Sequence, residues 1–423
     1  MRFNKRKPLV VALAIALMGS CLAMGCSPKE GAASSAGSSG ASAHQGDWKA
    51  LYPFEYWSFA MGGDAADDVE VVGGRPSFSH ATMPQYMAER IESADGTVRG
   101  VCLACKSSTF NDLYEEGGDA VFAKEGTAEF AQAVEADGYW DCGMCHADMT
   151  DPAASVGAQS TLFQQVGSTL LAELEPETAA CGQCHNNANT WMSSIVSSAD
   201  EAESADPYRY GSDADGMMKA VLEDMGDAAK TVIDERTGVY VVAEGGHPDV
   251  EMFQGSVMQQ AGLSCTDCHM PTMQTAEGEA YTSHNASKSP MDSAASLDAC
   301  LDCHKNQGIE TVGDMYDYVR AAQQEVADLD AQVVGKLAEL NEAVGSAMDA
   351  GIGEEAIESA RERYATAAYY RAYVLGNNGS TPVKDGSRGE APGEKVAHNP
   401  QMSREYLQRA SVVVDDALTA LSA

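Results

Sequence analysis

Ten of the twelve cysteines in this 423-residue chain form five Cys-x-x-Cys pairs. The pairs are Cys102/Cys105, Cys142/Cys145, Cys181/Cys184, Cys265/Cys268 and Cys300/Cys303. In four of them the next residue is a histidine, which gives His146, His185, His269 and His304. Disulfides, zinc knuckles and thioredoxin-like redox pairs do not require a histidine after the second cysteine. The fold must therefore be built around whatever this repeated motif binds.

Cys-x-x-Cys-His is the attachment signal for c-type haem: two thiols add to the vinyl groups, and the adjacent imidazole binds the iron. The first pair departs from this rule because Cys105 is followed by Lys106. A lysine amine binds iron only when deprotonated, and its unperturbed pKa is about 10.4 against about 6.5 for histidine. The sequence predicts five covalent haems, one of them with a lysine ligand. The alternative is a chance Cys-x-x-Cys pair beside Lys106.

The number of histidines limits how these haems can be completed. An electron-carrying haem needs a second axial ligand, whereas a haem that performs chemistry keeps that position open. Four of the nine histidines follow the cysteine motifs, and His44 lies in a linker. The remaining histidines are His80, His247, His284 and His398. If the Lys106 haem is the open one, four other haems compete for four histidines and none is left over for an active site.

The order of one Cys-x-x-Cys-Lys motif followed by four Cys-x-x-Cys-His motifs resembles the pentahaem cytochrome c nitrite reductases, which reduce nitrite to ammonia at a lysine-ligated haem. The resemblance covers roughly residues 50–420. Its further segments are Cys181-Gly-Gln-Cys-His185, His247-Pro-Asp, Cys265-Thr-Asp-Cys-His269-Met-Pro, Ala276-Glu-Gly-Glu-Ala-Tyr281 leading to His284, and His398-Asn-Pro. The expected fold is mainly α, a multihaem cytochrome c organised around five covalent haems with long C-terminal helices.

The same resemblance implies roles for individual residues. His247 is expected to be the catalytic histidine. The family's catalytic arginine lies shortly before the first haem motif, where Arg90 is the first candidate and Arg99 the second. The expected distal haem ligands are His80, His284 and His398.

The chain departs from the family at two positions near the haems. Where the family has a further distal histidine, this chain has Met258, which is either a thioether ligand or a core methionine. Where the family has its catalytic tyrosine, this chain has Ala188. The next aromatic residues along the chain that could supply a polar side chain are Trp191, Tyr208 and Tyr210. These departures weaken the inference that nitrite is the substrate.

The family's calcium site is altered as well. The corresponding positions here hold Asn187, Glu244 and Gly246. An asparagine and a glycine replace side chains that contribute to the site in the family. The sequence therefore leaves calcium binding open.

The N-terminal segment is predicted to be an export signal, because basic residues precede an apolar stretch from Leu9 to Met24. Leu22-Ala23-Met24-Gly25-Cys26 resembles the lipobox of bacterial lipoproteins. This predicts a signal peptide over 1–25, acylation of Cys26 and a flexible Gly/Ala/Ser-rich linker over 26–46. Cys21 is a weaker rival anchor, and ordinary cleavage near Ala43 is the alternative. The expected location is the outer face of the cytoplasmic membrane or the periplasm.

The body is predicted to contain a pentahaem-binding catalytic region over 47–310 and a long-helix region over 311–423. Apolar residues from Met315 to Met348 recur every three or four positions, which predicts a long amphipathic helix that ends at Gly351 and Gly353. Two further helices are expected over 357–374 and from about Met402 to Leu421. By the resemblance, this region provides a homodimer contact and one distal ligand.

Charge narrows the choice of partners. A formal net charge of -36 argues against nucleic-acid binding, and 44% hydrophobic residues argue against a disordered acidic chain. Strong acidity disfavours unaided capture of an anion and favours docking to a basic protein. The expected electron donor is a membrane quinol-oxidising multihaem cytochrome. The alternatives to nitrite reduction are an electron-transfer multihaem lipoprotein and a reductase of another small N- or S-oxyanion.

Overall fold

The computed structural model describes residues 48–67, 80, 100–108, 110–122, 141–148, 150–166, 168–188, 196–243, 248–286, 288–376 and 394–422. All of them belong to one compact unit. Several predicted features lie outside these ranges, so their roles stay predictions. They are the signal peptide and linker with Cys21 and Cys26, and the residues Arg90, Arg99, Trp191, Glu244, Gly246 and His247.

The described residues are mainly helical, which confirms the predicted fold class. The helices are α1 (Trp48–Leu51), α2 (Pro53–Asp67), α3 (Phe110–Gly117), α4 (Thr161–Val166), α5 (Ser168–Leu171), α6 (Pro176–Gly182), α7 (Ala199–Ser204), α8 (Ala214–Met225), α9 (Asp249–Phe253), α10 (Val257–Gln260), α11 (Cys265–His269), α12 (Ala294–His304), α13 (Val312–Asp349), α14 (Glu354–Leu375) and α15 (Pro400–Leu421). Short 3-10 helices span Gly100–Cys105, Gly118–Phe122, Cys142–Met144, Gly226–Ala229, Pro290–Asp292, Lys305–Gln307 and Glu394–His398.

Two small antiparallel hairpins complete the described elements. Strand β1 (Lys230–Val232) pairs with β2 (Tyr240–Val242), so that Thr231 faces Val241. Strand β3 (Thr272–Gln274) pairs with β4 (Ala280–Thr282), so that Met273 faces Tyr281. The second hairpin follows α11 and leads directly into His284.

The three long helices predicted from apolar periodicity are confirmed as α13, α14 and α15, which pack against one another. A capping box starts α13: Thr311 accepts a hydrogen bond from the backbone of Asp314, and the Asp314 carboxylate accepts one from the backbone of Thr311. After α13 ends, Gly351 adopts a φ of 75°, a left-handed conformation that glycine adopts without steric cost.

The apolar core joins the cysteine motifs to these helices. It runs from Leu103, inside the first motif, through Met217 of α8 to Val326 of α13 and Leu407 of α15. A smaller cluster forms where Leu301 of α12 packs near Met315. Among the described residues, no helix combines the length and apolar character of a membrane span.

A buried ion pair fastens α14 to α13. The guanidinium of Arg371 donates to both carboxylate oxygens of Asp330, at 2.6 and 3.2 Å. The Asp330 side chain is 4% exposed and that of Arg371 18% exposed. Removal of one partner of such a pair leaves the other charge desolvated and uncompensated.

Asp330→Ala is therefore expected to lower the free energy of unfolding by about 3 kcal/mol. Urea unfolding of the holoprotein followed by far-ultraviolet circular dichroism measures the change. Asp328→Ala, at an exposed position of the same helix, is the control, with an expected change within about 0.5 kcal/mol. Equal effects of the two substitutions would contradict the role of the ion pair.

Candidate functional site

The cysteine motifs lie on short helical segments. The first and second motifs form 3-10 turns, and the third begins at the end of α6. The fourth motif forms α11, and the fifth forms the last turn of α12. None of the nine cysteines whose side chains the structure describes forms a disulfide. The backbone of Cys102 is helical, and its side chain is outside the described set. In a holoprotein the sulfur atoms of such motifs are thioethers.

Cys303 differs from the other predicted attachment cysteines. Among the nine described motif cysteines, Cys303 is exposed and the other eight are half-buried. It follows Leu301 by two residues in α12, and Leu301 is buried in the small core cluster. Residues two positions apart on a helix point in nearly opposite directions, so Cys303 faces solvent while Leu301 faces the core. The thioether bond of Cys303 to a haem stays a prediction, as it does for the other attachment cysteines.

Three of the four motif histidines face one of the three predicted distal ligands. The facing pairs are His80 with His185, His146 with His284, and His269 with His398. In all three pairs the ring centroids are 6.2 Å apart. A metal lies about 2 Å from a ligating imidazole nitrogen, so two imidazoles on opposite sides of one ion have ring centroids about 6 Å apart. The three pairs therefore fit bis-imidazole haem sites.

Acceptors hold the outer ring nitrogens of three of these histidines. The Nδ1 of His146 donates to the carbonyl of Pro152 at 2.7 Å, and that of His284 donates to the carbonyl of Thr282 at 2.9 Å. The Nδ1 of His185 lies 3.2 Å from a carboxylate oxygen of Asp249. Hydrogen bonds at Nδ1 fix the ring and leave Nε2 for a metal, which is the common pattern around ligating histidines.

Burial favours the neutral, metal-binding form of three of these histidines, His80, His146 and His284. It lowers the pKa of His80 to about 3, with His185 and His269 acting in the same direction. Burial also lowers the pKa values of His146 and His284. These three side chains are therefore neutral, as metal ligands must be, near neutral pH.

The fifth motif has a different environment. Among the described residues, the ring nearest to His304 is Tyr318, with centroids 5.2 Å apart, closer than two ligands on opposite sides of one ion would be. The Nδ1 of His304 is buried and has no hydrogen-bond partner in the described part of the chain. Met258 lies half-buried on α10. Its ligation of this haem stays a prediction.

Lys106 lies against its own motif. The Lys106 Nζ donates to the Cys105 Sγ at 2.6 Å. A hydrogen bond with the Cys184 thiol, together with Lys106, holds the pKa of Cys105 well below its ordinary value. The lysine amine is therefore beside the first attachment site, and this site is next to the third.

The other motifs also lie side by side. Gln183, buried inside the third motif, donates to the carbonyl of Met144 in the second at 2.8 Å. A hydrogen bond with Cys181 raises the pKa of Cys265, which places the third motif beside the fourth. Burial and the nearby Cys300 thiol raise the pKa of Cys268 to about 12, which places the fourth beside the fifth. The attachment sites thus form a continuous series.

Tyr208 folds back to the position where the family's tyrosine is missing. Its hydroxyl forms a hydrogen bond with the backbone of Ala188 and donates to the Glu251 carboxylate at 2.8 Å. The same oxygen of Glu251 accepts a hydrogen bond from the backbone N–H of Asn187 at 2.6 Å. Tyr210 is instead exposed and donates to Glu223. The buried hydroxyl of Tyr208, from a later part of the chain, therefore stabilises the residues that directly follow His185.

Glu251 is a buried acid that the motifs did not reveal. Burial raises its pKa to about 8, although the hydrogen bonds from Asn187 and Tyr208 oppose this shift. Its second carboxylate oxygen is buried without a partner among the described residues. Glu251 and Asp249 lie four and two residues after His247, and this proximity was the one signal for them in the sequence.

The geometry and the sequence together define a multihaem c-type cytochrome. The family model described as cytochrome c552 matches residues 80–422, so the chain belongs to this family of nitrite-reductase cytochromes. A cytochrome c-552 from Haemophilus influenzae is 32% identical over 114 residues, which are 27% of this chain and 20% of that protein. The alignment thus spans about a fifth of that relative.

Two solved structures are also similar. One is the catalytic subunit of a cytochrome c nitrite reductase from Desulfovibrio desulfuricans, described with two calcium sites. It has a TM-score of 0.61 and 19% identity, over 89% of this chain and 85% of that one, and it shows a shared fold. The outer cell wall cytochrome OcwA matches with a TM-score of 0.40 and 20% identity, over 79% and 48% of the two chains.

The raised pKa of Glu251 predicts a pH-dependent stability. The folded-state pKa of about 8 exceeds the unfolded value of 4.5, so the native state binds the proton more tightly. Stability from this group is complete below the unfolded pKa and is lost as pH rises through the folded pKa, by on the order of a few kcal/mol.

Glu251→Gln cannot ionise, so its stability relative to the unsubstituted protein is expected to increase between about pH 5 and about pH 8. Urea unfolding at several pH values measures this difference. Glu235→Gln, at an exposed carboxylate, is the control, with a difference that stays constant across the same range. A constant difference for Glu251→Gln would show that the Glu251 carboxyl titrates normally.

Proposed function

We propose that this protein is an exported pentahaem reductase that converts nitrite to ammonia at the Lys106 site. The main support is the contrast between Lys106 and the histidine motifs. Three histidine motifs face a second imidazole at 6.2 Å, whereas the first motif has a lysine amine against its own sulfur. Carriers with both axial ligands and one site of different chemistry are what such a reductase requires.

When bound, a haem at Lys106 would supply an iron with one open position for an oxyanion. Lys106 would bind this iron, and its amine must be deprotonated to do so. Conversion of nitrite to ammonia consumes six electrons and several protons, so a cation and proton donors are needed beside the substrate. His247 and Arg90 are proposed for these roles, with Arg99 as the second candidate arginine. Calcium is no part of the proposal.

Electrons are proposed to reach Lys106 through the other four sites. The adjacency of Cys300 to Cys268, of Cys265 to Cys181 and of Cys184 to Cys105 supports such a relay. The proposed donor is a membrane quinol-oxidising multihaem cytochrome. Acylation at Cys26 would hold the reductase near it, on the outer face of the cytoplasmic membrane or in the periplasm. A homodimer through α13–α15 would add a second copy of the relay.

Ala188 favours a second candidate function. Its side chain cannot donate a proton, and the phenol of Tyr208 is already engaged with Glu251. A protein with this fold could transfer electrons without reducing nitrite, or could reduce another small N- or S-oxyanion. Measurement of ammonium separates these functions from nitrite reduction.

The test is to reduce purified holoprotein with a viologen, add nitrite and quantify ammonium. Lys106→His keeps a possible iron ligand but fills the site with an imidazole, so ammonium formation is expected to fall at least about tenfold. Lys305→His is the control, because Lys305 also follows a cysteine motif but is exposed and pairs with Asp302 at 3.8 Å. This control is expected to keep the rate of the unsubstituted protein.

Two results would contradict the proposal. If the unsubstituted protein forms ammonium no faster than free haem does, nitrite reduction is excluded and electron transfer remains as the function. Equal rates for Lys106→His and Lys305→His would show that the reaction does not occur at Lys106.

A further inference from the structure

Asp249 contacts histidines that belong to two different facing pairs. One of its carboxylate oxygens forms a hydrogen bond with the Nδ1 of His185 at 3.2 Å. The other lies 3.4 Å from the Nδ1 of His398, which is a charge contact rather than a hydrogen bond. His185 faces His80, and His398 faces His269. One carboxylate thus touches an axial-ligand candidate of the third haem and one of the fourth.

The backbone holds Asp249 firmly between these histidines. It is the first residue of α9, and the N–H of the next residue, Val250, donates to the carbonyl of His185 at 3.2 Å. On the other side, the amide of Asn399 donates to the carbonyl of Met252 at 3.1 Å, which ties α9 to the residue after His398. The Asp249 side chain is 13% exposed. The contact is therefore fixed from both sides and largely shielded from solvent.

In the described part of the second haem site, backbone carbonyls take the place of the carboxylate as hydrogen-bond partners of the Nδ1 nitrogens. There the outer nitrogens of His146 and His284 donate to the backbone carbonyls of Pro152 and Thr282, which carry no net charge. A carboxylate makes a ligating imidazole more basic than a carbonyl does, and a basic ligand stabilises the more positive metal. Ferric haem carries one more positive charge than ferrous haem, so the carboxylate favours the ferric state at both sites it touches.

We propose that Asp249 is a positioning residue that lowers the reduction potentials of the third and fourth haems together. Each haem takes up one electron and no bond is broken, so the effect is a shift in two one-electron equilibria. The two haems lie in the middle of the proposed relay. A shared carboxylate lowers both potentials in the same direction, so a change at Asp249 is expected to move both. The inference depends on the assigned ligand pairs and does not require nitrite to be the substrate.

The experiment is a redox titration of the holoprotein, followed by absorbance and by electron paramagnetic resonance. Asp249→Asn is expected to weaken the ferric state of two haems about tenfold each, a positive shift of about 59 mV for a one-electron couple. The other haems are expected to keep their potentials. The low-spin resonance signals of the two shifted haems are also expected to change, because the imidazole rings lose an orienting contact.

Glu251→Gln is the matched control, because Glu251 lies on the same short helix and forms its hydrogen bonds with Asn187 and Tyr208. All haem potentials are expected to stay unchanged in it. Asp249→Ser is the second removal variant, since it deletes the carboxylate without placing an amide donor against an imidazole. Asp249→Glu restores a carboxylate and is expected to move both potentials back towards the original values.

Unchanged potentials in both removal variants, or a shift of one haem only, would overturn the inference. An equal shift in Glu251→Gln would show that disturbance of α9 is the cause, and would overturn it as well. An oxidised spectrum without bis-imidazole haems would remove the ligand assignment and the inference together. Absence of nitrite reduction would affect the proposed function and leave the role of Asp249 intact.

Discussion

The pairing of two imidazoles at a separation that fits one metal ion between them is the constraint on which the proposed cofactor arrangement depends. The chain meets it three times with the same 6.2 Å separation of ring centroids. Each pair joins distant parts of the sequence, such as His146 with His284 and His269 with His398. Closure of such long loops has an entropic cost, and a cofactor that binds both ends in the native state stabilises that state. The haems are therefore expected to organise the fold as well as to carry electrons.

The start of the C-terminal helix α15 helps to position one of these histidine pairs, His269 with His398. Asn399 caps α15 by accepting a hydrogen bond from the backbone of Met402, and its amide also donates to the carbonyl of Met252. The cap thus fixes the direction of α15 and the position of the preceding His398 at once. The same residue connects a helix terminus to a ligand pair, so helix packing and cofactor geometry depend on each other.

Local patterns in the sequence predicted much of this arrangement, and tertiary packing determined the rest. The spacing of cysteines, histidines and Lys106 identified the attachment motifs, and the periodicity of apolar residues identified α13–α15. The histidine count could not say which distal ligand faces which motif, because that pairing depends on residues far apart in the chain. The motif also could not show that Cys303 is exposed, since its environment follows from the face that α12 buries. Asp249 and Glu251 are ordinary acidic residues until burial and neighbouring imidazoles give them a role.

The most direct measurement is near-infrared magnetic circular dichroism of the fully oxidised holoprotein, since each pair of axial ligands gives a charge-transfer band at its own energy. The account predicts three haems with two imidazole ligands, one high-spin haem at Lys106 and one haem with imidazole and the thioether of Met258. Fewer than three bis-imidazole haems, or no high-spin haem, would contradict it.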